Sequence, residues 1–359
     1  MNNKKITFFI GSIEEGGAER VVSYLTTYFV DNGVDVSLVT YYDRKLFYSI
    51  DNRIEVKSVC RETKNGSILK NVKWLRRYIV QNSSVVVSFL APFNMLVLLA
   101  TRGLHVPVVV ADRNDPHFVP HNFFIRHARN LLYRMTDGAV FQTKHNQAYF
   151  SKCVQKKSCI IYNPIDLGDR VGKGGQTPKE KLIVSVCRLM PQKNLSMLIR
   201  VFSELHNDYP DYRLVIYGEG PERTELERLV ETLNMKNTIM LPGSEQNVFD
   251  KICPACLFVL PSNYEGMPNA LAEAMCLGLP CISTAVSGAT DLIYNEKNGI
   301  LVDINNSDQM KKAIVSVLND KDYAAELGKN ATDLNKVLDK SVIAKQWLEY
   351  VLSFCYPKK

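Results

Sequence analysis

The chain has 359 residues, 46% hydrophobic and 23% charged, which suits two domains with separate cores and excludes a disordered or fibrous protein. Its nine cysteines are odd in number and scattered, and Cys253-Pro254-Ala255-Cys256 has no second pair to complete a zinc site, so a disulfide scaffold is excluded and reduced cytosolic thiols are expected. The net charge of +7 is uneven: residues 1–170 carry 23 Lys/Arg against 14 Asp/Glu, and residues 171–359 carry 21 against 23. A basic first half suits an acidic partner (a membrane surface, a lipid diphosphate or nucleic acid) or a solvated surface with no partner; of these, the motifs below favour the first two and no nucleic acid. No apolar run reaches the roughly 18 residues needed to span a bilayer, and the start of the chain, with Glu14 and Glu15 directly after a short apolar run, does not read as a signal peptide.

Strand-like and helix-like runs alternate throughout, which predicts an α/β fold with parallel sheets. Strands are expected at Lys5–Ile10, Val36–Tyr41, Ile54–Val59, Val85–Leu90, Val106–Ala111, Gly138–Gln142 and Ser158–Tyr162. Gly16 and Gly17 follow the first strand, where backbone without side chains can approach a phosphate or a sugar. The spacing is not Gly-x-Gly-x-x-Gly, so a dinucleotide fingerprint is absent. Helices at Ile68–Gln81 and Phe123–Met135 mix cations with aromatics, as helices at a membrane surface do and as many core-facing helices do. Asp112-Arg113-Asn114-Asp115-Pro116-His117 is a loop dense in polar groups after the fifth strand. Residues 168–180 are rich in glycine and nearly devoid of apolar side chains, and read as a linker between residues 1–167 and 181–340. In the second half, strands are expected at Leu182–Cys187, Arg213–Tyr217, Thr238–Leu241, Leu257–Leu260, Pro280–Thr284 and Gly299–Val302. The last helix, Ser341–Phe354, carries the apolar stripe Val342, Ile343, Trp347, Val351 and Leu352.

Two stretches of the second half carry chemistry. The run Leu257–Leu260 feeds Pro261-Ser262-Asn263-Tyr264-Glu265-Gly266-Met267-Pro268-Asn269, with Pro268 suited to the first position of a helix and Gly278 to its end. Glu265 then lies on the loop, Glu273 lies inside the helix, and the amides near Met267 and Asn269 form an anion site supported by the helix dipole. Carboxylates on both sides of an anion site suit a ligand with a diphosphate between two hydroxylated groups, which is the layout of a nucleotide sugar. Arg188 and Lys193 leave the end of the first strand of the same half, where open α/β sheets bind ligands. Two cations and a helix N-terminus can stabilise charge on a departing diphosphate without a metal. Asp320-Lys321-Asp322 lies between C-terminal helices and reads as a cap rather than a metal site.

These motifs together resemble glycosyltransferase family 4. Gly16-Gly17-Ala18-Glu19-Arg20, Asn163-Pro164-Ile165-Asp166, Arg188-x4-Lys193, Gly218-Glu219-Gly220, Glu265-x7-Glu273 and Asn298-Gly299 occur in the family's order from end to end. The resemblance implies a GT-B fold, two Rossmann-like domains facing a cleft, with a final helix, residues 341–359, returning to the first domain. It implies a retaining, metal-independent reaction with no cofactor, in which the substrate is a nucleotide sugar, with a UDP-sugar expected. Arg188 and Lys193 would hold the diphosphate, Glu265 the donor sugar and Glu273 the ribose, with Gly218, Gly266, Met267, Pro268 and Asn269 completing the donor site. Gly16, Gly17 and Arg113 would face an acceptor, expected to be a polyprenyl-diphosphate-linked oligosaccharide at the cytoplasmic face of a membrane. Two departures stand out. Arg113 stands where many relatives carry a histidine, and Asp291 replaces a glutamate after the turn at Ser287-Gly288-Ala289. A non-hydrolysing UDP-sugar epimerase shares the two-domain architecture but lacks the Glu-x7-Glu and Arg-x4-Lys pairing; an inactive binding subunit of the same fold is the other alternative.

Overall fold

The computed structural model describes residues 5–355. They form two units: residues up to Pro164 together with those from Lys340 onward, and Ile165–Asp339.

The first unit is a seven-stranded parallel sheet: β1 (Lys5–Ile10), β2 (Asp35–Thr40), β3 (Glu55–Ser58), β4 (Val85–Phe89), β5 (Val108–Ala111), β6 (Gly138–Phe141) and β7 (Ser158–Ile160), in the spatial order β3-β2-β1-β4-β5-β6-β7. The strands are apolar runs because both faces are covered, as parallel sheets require. Alternation divides them: Phe8, Ile10, Val87, Phe89 and Val140 point to one core, and Phe9, Val39, Val86, Val110 and Phe141 to the other. Helices Gly17–Asp31 and Lys340–Leu352 cover the first face, the latter contributing Ile343, Ala344, Trp347 and Val351. Helices Ile68–Asn82 and Ala91–Thr101 cover the second. The helix Ala91–Thr101 is missing from the sequence reading; its run Leu96-Val97-Leu98-Leu99-Ala100 is apolar all round and has no helical stripe to read.

The second unit has six parallel strands: β8 (Glu180–Val186), β9 (Arg213–Tyr217), β10 (Ile239–Gly243), β11 (Ala255–Leu260), β12 (Cys281–Thr284) and β13 (Ile300–Val302), ordered β10-β9-β8-β11-β12-β13. Strand order reverses between β8 and β11, which are adjacent with Leu257 opposite Ile183 and Phe258 opposite Val184. That reversal leaves a crevice beyond the two strand ends, the place where such sheets bind ligands.

Residues 168–180, expected as a linker, lie within the second unit. A 3-10 turn, Gly168–Arg170, and a short helix, Lys173–Gln176, are followed by the start of β8. The Gly172 and Gly174 amides donate to the carbonyls of Cys276 and Leu277, and a Cβ on Gly174 would stand 2.8 Å from the Leu277 oxygen. Glycines here let two backbones touch, so low apolar content marks close approach rather than a tether.

Candidate active site

The loop after β8 turns at a 3-10 segment, Pro191–Lys193, with Asn194 in the left-handed region. The loop after β11 runs from Pro261 to Pro268. The two are joined backbone to backbone: the Asn263 amide donates to the Gln192 carbonyl at 2.8 Å, and Asn263 Nδ2 donates to the Pro191 carbonyl at 3.2 Å. Their charged side chains meet. Lys193 Nζ donates to Glu265 Oε1 at 2.5 Å, with only 14% and 7% of the two side chains exposed. Ser262 Oγ donates to the same oxygen at 2.7 Å, and Gln192 Nε2 reaches Oε2 at 3.3 Å and the Tyr264 carbonyl at 2.7 Å. Thr284 Oγ1, at the end of β12, anchors the loop by donating to the Ser262 carbonyl at 2.6 Å. Glu265 is thus a carboxylate held from three directions at the sheet's reversal point. Gln192 and Ser262 complete this cluster and are absent from the sequence-based candidates; their signal is membership of the same two motifs as Lys193 and Glu265.

Arg188 leaves the same strand as an exposed side chain with no ion pair among the described residues. The glycine loop after β9 fixes where it emerges. Gly218 has φ +136°, and a Cβ there would run into the Cys187 carbonyl. The Leu189 amide donates to the Glu219 carbonyl at 2.9 Å, and the Glu222 amide donates back to the Leu189 carbonyl at 3.1 Å.

The helix expected from Pro268 begins one residue later: Pro268 is its N-cap, and the helix covers Asn269–Cys276. The first bond of the ladder is Ala272 N–H to the Pro268 carbonyl, so the preceding amides point out of the helix end. The Pro ring still serves the start, because Gly288 of the helix Ser287–Leu292 packs against it; a Cβ on Gly288 would fall 2.5 Å from the Gly266 carbonyl and 2.8 Å from the Met267 Cα. Met267 is buried there and Gly266 half-buried. Glu273 is half-buried one turn into the helix, and its charge helps push the buried Cys276 thiol up to about 12, after burial itself. Asp291 lies in the last turn of Ser287–Leu292. Asp320 caps the helix Lys321–Ala331 by accepting from the Tyr323 amide, in keeping with its reading as a cap.

The structure brings Lys193 and Glu265 into contact. Arg188, Gly218 and Glu273 lie on strand-end loops or on the helix of the same unit. Gly16, Gly17 and Arg113 belong to the first unit. Gly16 precedes the helix Gly17–Asp31, where the Glu19 carboxylate folds back over it and leaves no room for a Cβ. Burial raises the Glu19 pKa above the usual carboxylate range. Arg113 follows β5 and is buried. Among the described residues one group could gather around a metal: Asp115, His117 and His145, with ligand atoms within 4.8 Å of one another. The Asp115 carboxylate there already accepts from the His117 amide at 2.9 Å and faces His117 Nδ1 at 3.0 Å. All nine cysteines are free.

Two family models match the chain in order: Glycosyltransferase Family 4 over residues 15–169, and Glycosyl transferases group 1 over residues 171–334. A Campylobacter jejuni enzyme named GalNAc-alpha-(1->4)-GalNAc-alpha-(1->3)-diNAcBac-PP-undecaprenol alpha-1,4-N-acetyl-D-galactosaminyltransferase is 28% identical over 97% of this chain and 98% of its own. The Escherichia coli UDP-Gal:alpha-D-GlcNAc-diphosphoundecaprenol alpha-1,3-galactosyltransferase is 27% identical over 80% of this chain and 81% of its own. Among solved structures, Anabaena HepE in complex with UDP matches with a TM-score of 0.82 at 18% identity, covering 97% of this chain and all of that one. The apo lipopolysaccharide outer core galactosyltransferase WaaB matches with a TM-score of 0.80 at 17% identity, over 97% of this chain and 99% of that one. With its two parallel-sheet units matched in sequence and in fold, the chain belongs to glycosyltransferase family 4 and is a glycosyltransferase of the GT-B fold.

Proposed function

We propose that the protein transfers a hexose or N-acetylhexosamine from a UDP-sugar to a glycan carried on a polyprenyl diphosphate of the undecaprenyl kind. The observation that carries this reading is the largely buried Lys193–Glu265 pair at the reversal point of the second sheet, with Arg188 exposed on the loop that carries Lys193. Arg188 and Lys193 hold the donor diphosphate, with the amides at Met267 and Asn269 before the helix end, and with Gly218, Gly266 and Pro268 shaping the approach. Glu265 faces the donor sugar and Glu273 the ribose hydroxyls. As the bond from the sugar to the terminal phosphate breaks, negative charge grows on that phosphate and Lys193 passes from Glu265 to it. The phosphate takes the acceptor's hydroxyl proton while that oxygen attacks on the same face, which retains configuration. Fixed cations and helix amides stabilise that charge without reorganising. Gly16, Gly17 and Arg113 serve the acceptor. The names of the Campylobacter and Escherichia relatives, both of which specify a diphospho-undecaprenol acceptor, support this donor–acceptor class.

The same proposal places the protein peripherally on an anionic membrane. Among the described residues no helix is long and apolar enough to cross one. The surface for contact is the helix Phe123–Leu132, whose apolar side chains point outward: Phe124 is 79% exposed and Leu131 65%. The helix Ile68–Asn82, the other candidate, is less available. Lys70 Nζ is bound to the Thr63 carbonyl, Arg76 Nη1 to those of Ala100 and Arg102, and Trp74 stacks on Tyr78.

A panel of nucleotide sugars tests the reading, each incubated with the protein with and without EDTA and followed for slow hydrolysis and for a rise in melting temperature. One UDP-sugar should be hydrolysed and stabilise the fold, with EDTA making no difference. Hydrolysis of none, or activity lost in EDTA and restored by a divalent metal, contradicts it.

A further inference from the structure

Among the described residues of the first unit, Arg113 is the least satisfied buried charge. It is 8% exposed, and none of Nε, Nη1 or Nη2 has a hydrogen-bond acceptor. Its guanidinium stands over two rings, 5.6 Å from the centroid of Phe89 and 5.7 Å from that of Trp347, which stack on each other at 5.4 Å. The carboxylates beside it in sequence are turned elsewhere. Asp112 accepts from Tyr133 Oη at 3.2 Å and lies 3.9 Å from Arg129, and Asp115 is engaged with His117. Two more buried polar atoms of the first unit lack partners among the described residues: Trp347 Nε1 and, one residue past the end of β6, Gln142 Oε1. Burial pushes the Arg113 pKa down to about 9, so the group keeps its charge near neutrality.

An uncompensated buried charge is costly, and removing the counter-charge of such a group destabilises a protein by several kcal/mol. Two aromatic faces offset part of that cost, but a ring accepts no N–H bond in place of an oxygen, so the buried fork keeps its full hydrogen-bonding capacity. We propose that Arg113, walled by Phe89 and Trp347, is a phosphate site whose ligand supplies the missing counter-charge. A tetrahedral oxyanion can accept two parallel N–H bonds from the fork. A phosphate at this site comes either from the acceptor's lipid diphosphate or from free phosphate. Only the lipid source rests on the transfer reaction proposed above.

The test uses the full chain carrying Arg188→Ala and Lys193→Ala, which removes the cations of the donor site. Inorganic pyrophosphate and a short, water-soluble prenyl diphosphate are titrated in by calorimetry. Saturable one-to-one binding that weakens at least tenfold on adding Arg113→Met is expected. Tighter binding of the prenyl compound assigns the site to the lipid acceptor, and equal binding assigns it to free phosphate. Arg113→Met should also keep or raise the melting temperature, because it removes an unpaired charge, whereas a structural arginine would lower it. Arg113→Lys, which keeps the charge but loses the fork, should recover less than half of the lost binding free energy. Unchanged binding in the Arg113→Met protein, or no binding to the parent, overturns the proposal. Neither result depends on hydrolysis of a nucleotide sugar.

Discussion

Gly218 shows how one backbone angle sets the position of a cation 30 residues away in sequence. Its φ of +136° is a region that side-chain-bearing residues rarely adopt, and its Cα faces the Cys187 carbonyl, next to Arg188. Both obstacles to a methyl group are backbone, so a side chain cannot swing away to make room. Gly218→Ala should therefore cost roughly 1–3 kcal/mol of stability from strain alone and move the loop that presents Arg188. Chemical denaturation, together with UDP affinity measured on the folded fraction, would show both effects. An alanine variant with wild-type stability and affinity would mean that the loop yields easily. Glu265 illustrates the opposite case, a charge whose position is set by side chains. Lys193, Ser262 and Gln192 each satisfy part of it, so its burial is compensated by partners.

The helix Phe123–Leu132 is built inside out. Phe124, Ala128 and Leu131 occupy one exposed stripe, continued by Met135 one turn beyond the helix end, while Arg129 points inward, fully buried. Arg129 is satisfied there by the carbonyls of Val119 and Pro116 and by Asn130, and lies over the rings of Tyr149 and Phe150. An arginine buried with its partners and an apolar stripe left outside suit a surface that meets lipid. Phe124→Ser with Leu131→Ser should leave the fold intact and cut co-sedimentation with anionic vesicles at least severalfold, since each such exposed apolar side chain contributes up to about 1.5–3 kcal/mol when lipid buries it. Neutralising Lys70, Lys73, Arg76 and Arg77 should have the smaller effect, because two of those four are tied to carbonyls. Equal sedimentation by the wild type and the serine variant would assign the patch another role. This inversion was only half legible in the sequence. A period of 3.6 reveals a stripe of aromatics, but it does not say which side of the helix meets the sheet; that depends on whether a partner such as the Val119 carbonyl waits inside for Arg129. The same limit applies to Trp74, whose stacking on Tyr78 leaves no mark in spacing.

At the scale of the whole chain, legibility was high because parallel strands buried on both faces write themselves as continuous apolar runs, and the thirteen strands of the described residues recur between turn signals. The charged motifs were legible for a related reason: Arg188, Lys193 and Glu265 all follow strand ends, and β8 and β11 turn out to be neighbours at the reversal of strand order. Contacts that depend on packing between distant segments were not legible, among them the unpaired Arg113 on Trp347 and the glycines of residues 168–180 against Leu277. The central claim, a transferase whose donor site is formed by the Arg188–Lys193 and Glu265–Glu273 segments, predicts that the two glutamates fail differently. On that claim Glu265 would act where charge develops, so Glu265→Gln should lower kcat by about 10²–10³-fold with donor KM little changed. On the same claim Glu273 would bind donor equally in ground and transition states, so Glu273→Gln should raise donor KM by the equivalent of roughly 1.5–3 kcal/mol and spare kcat. The deciding measurement is steady-state sugar transfer from the active UDP-sugar by the wild type and both glutamine variants, with folding verified by circular dichroism. A kcat defect in the first variant and a KM defect in the second is the predicted result; two folded variants that both transfer sugar like the wild type would contradict the account.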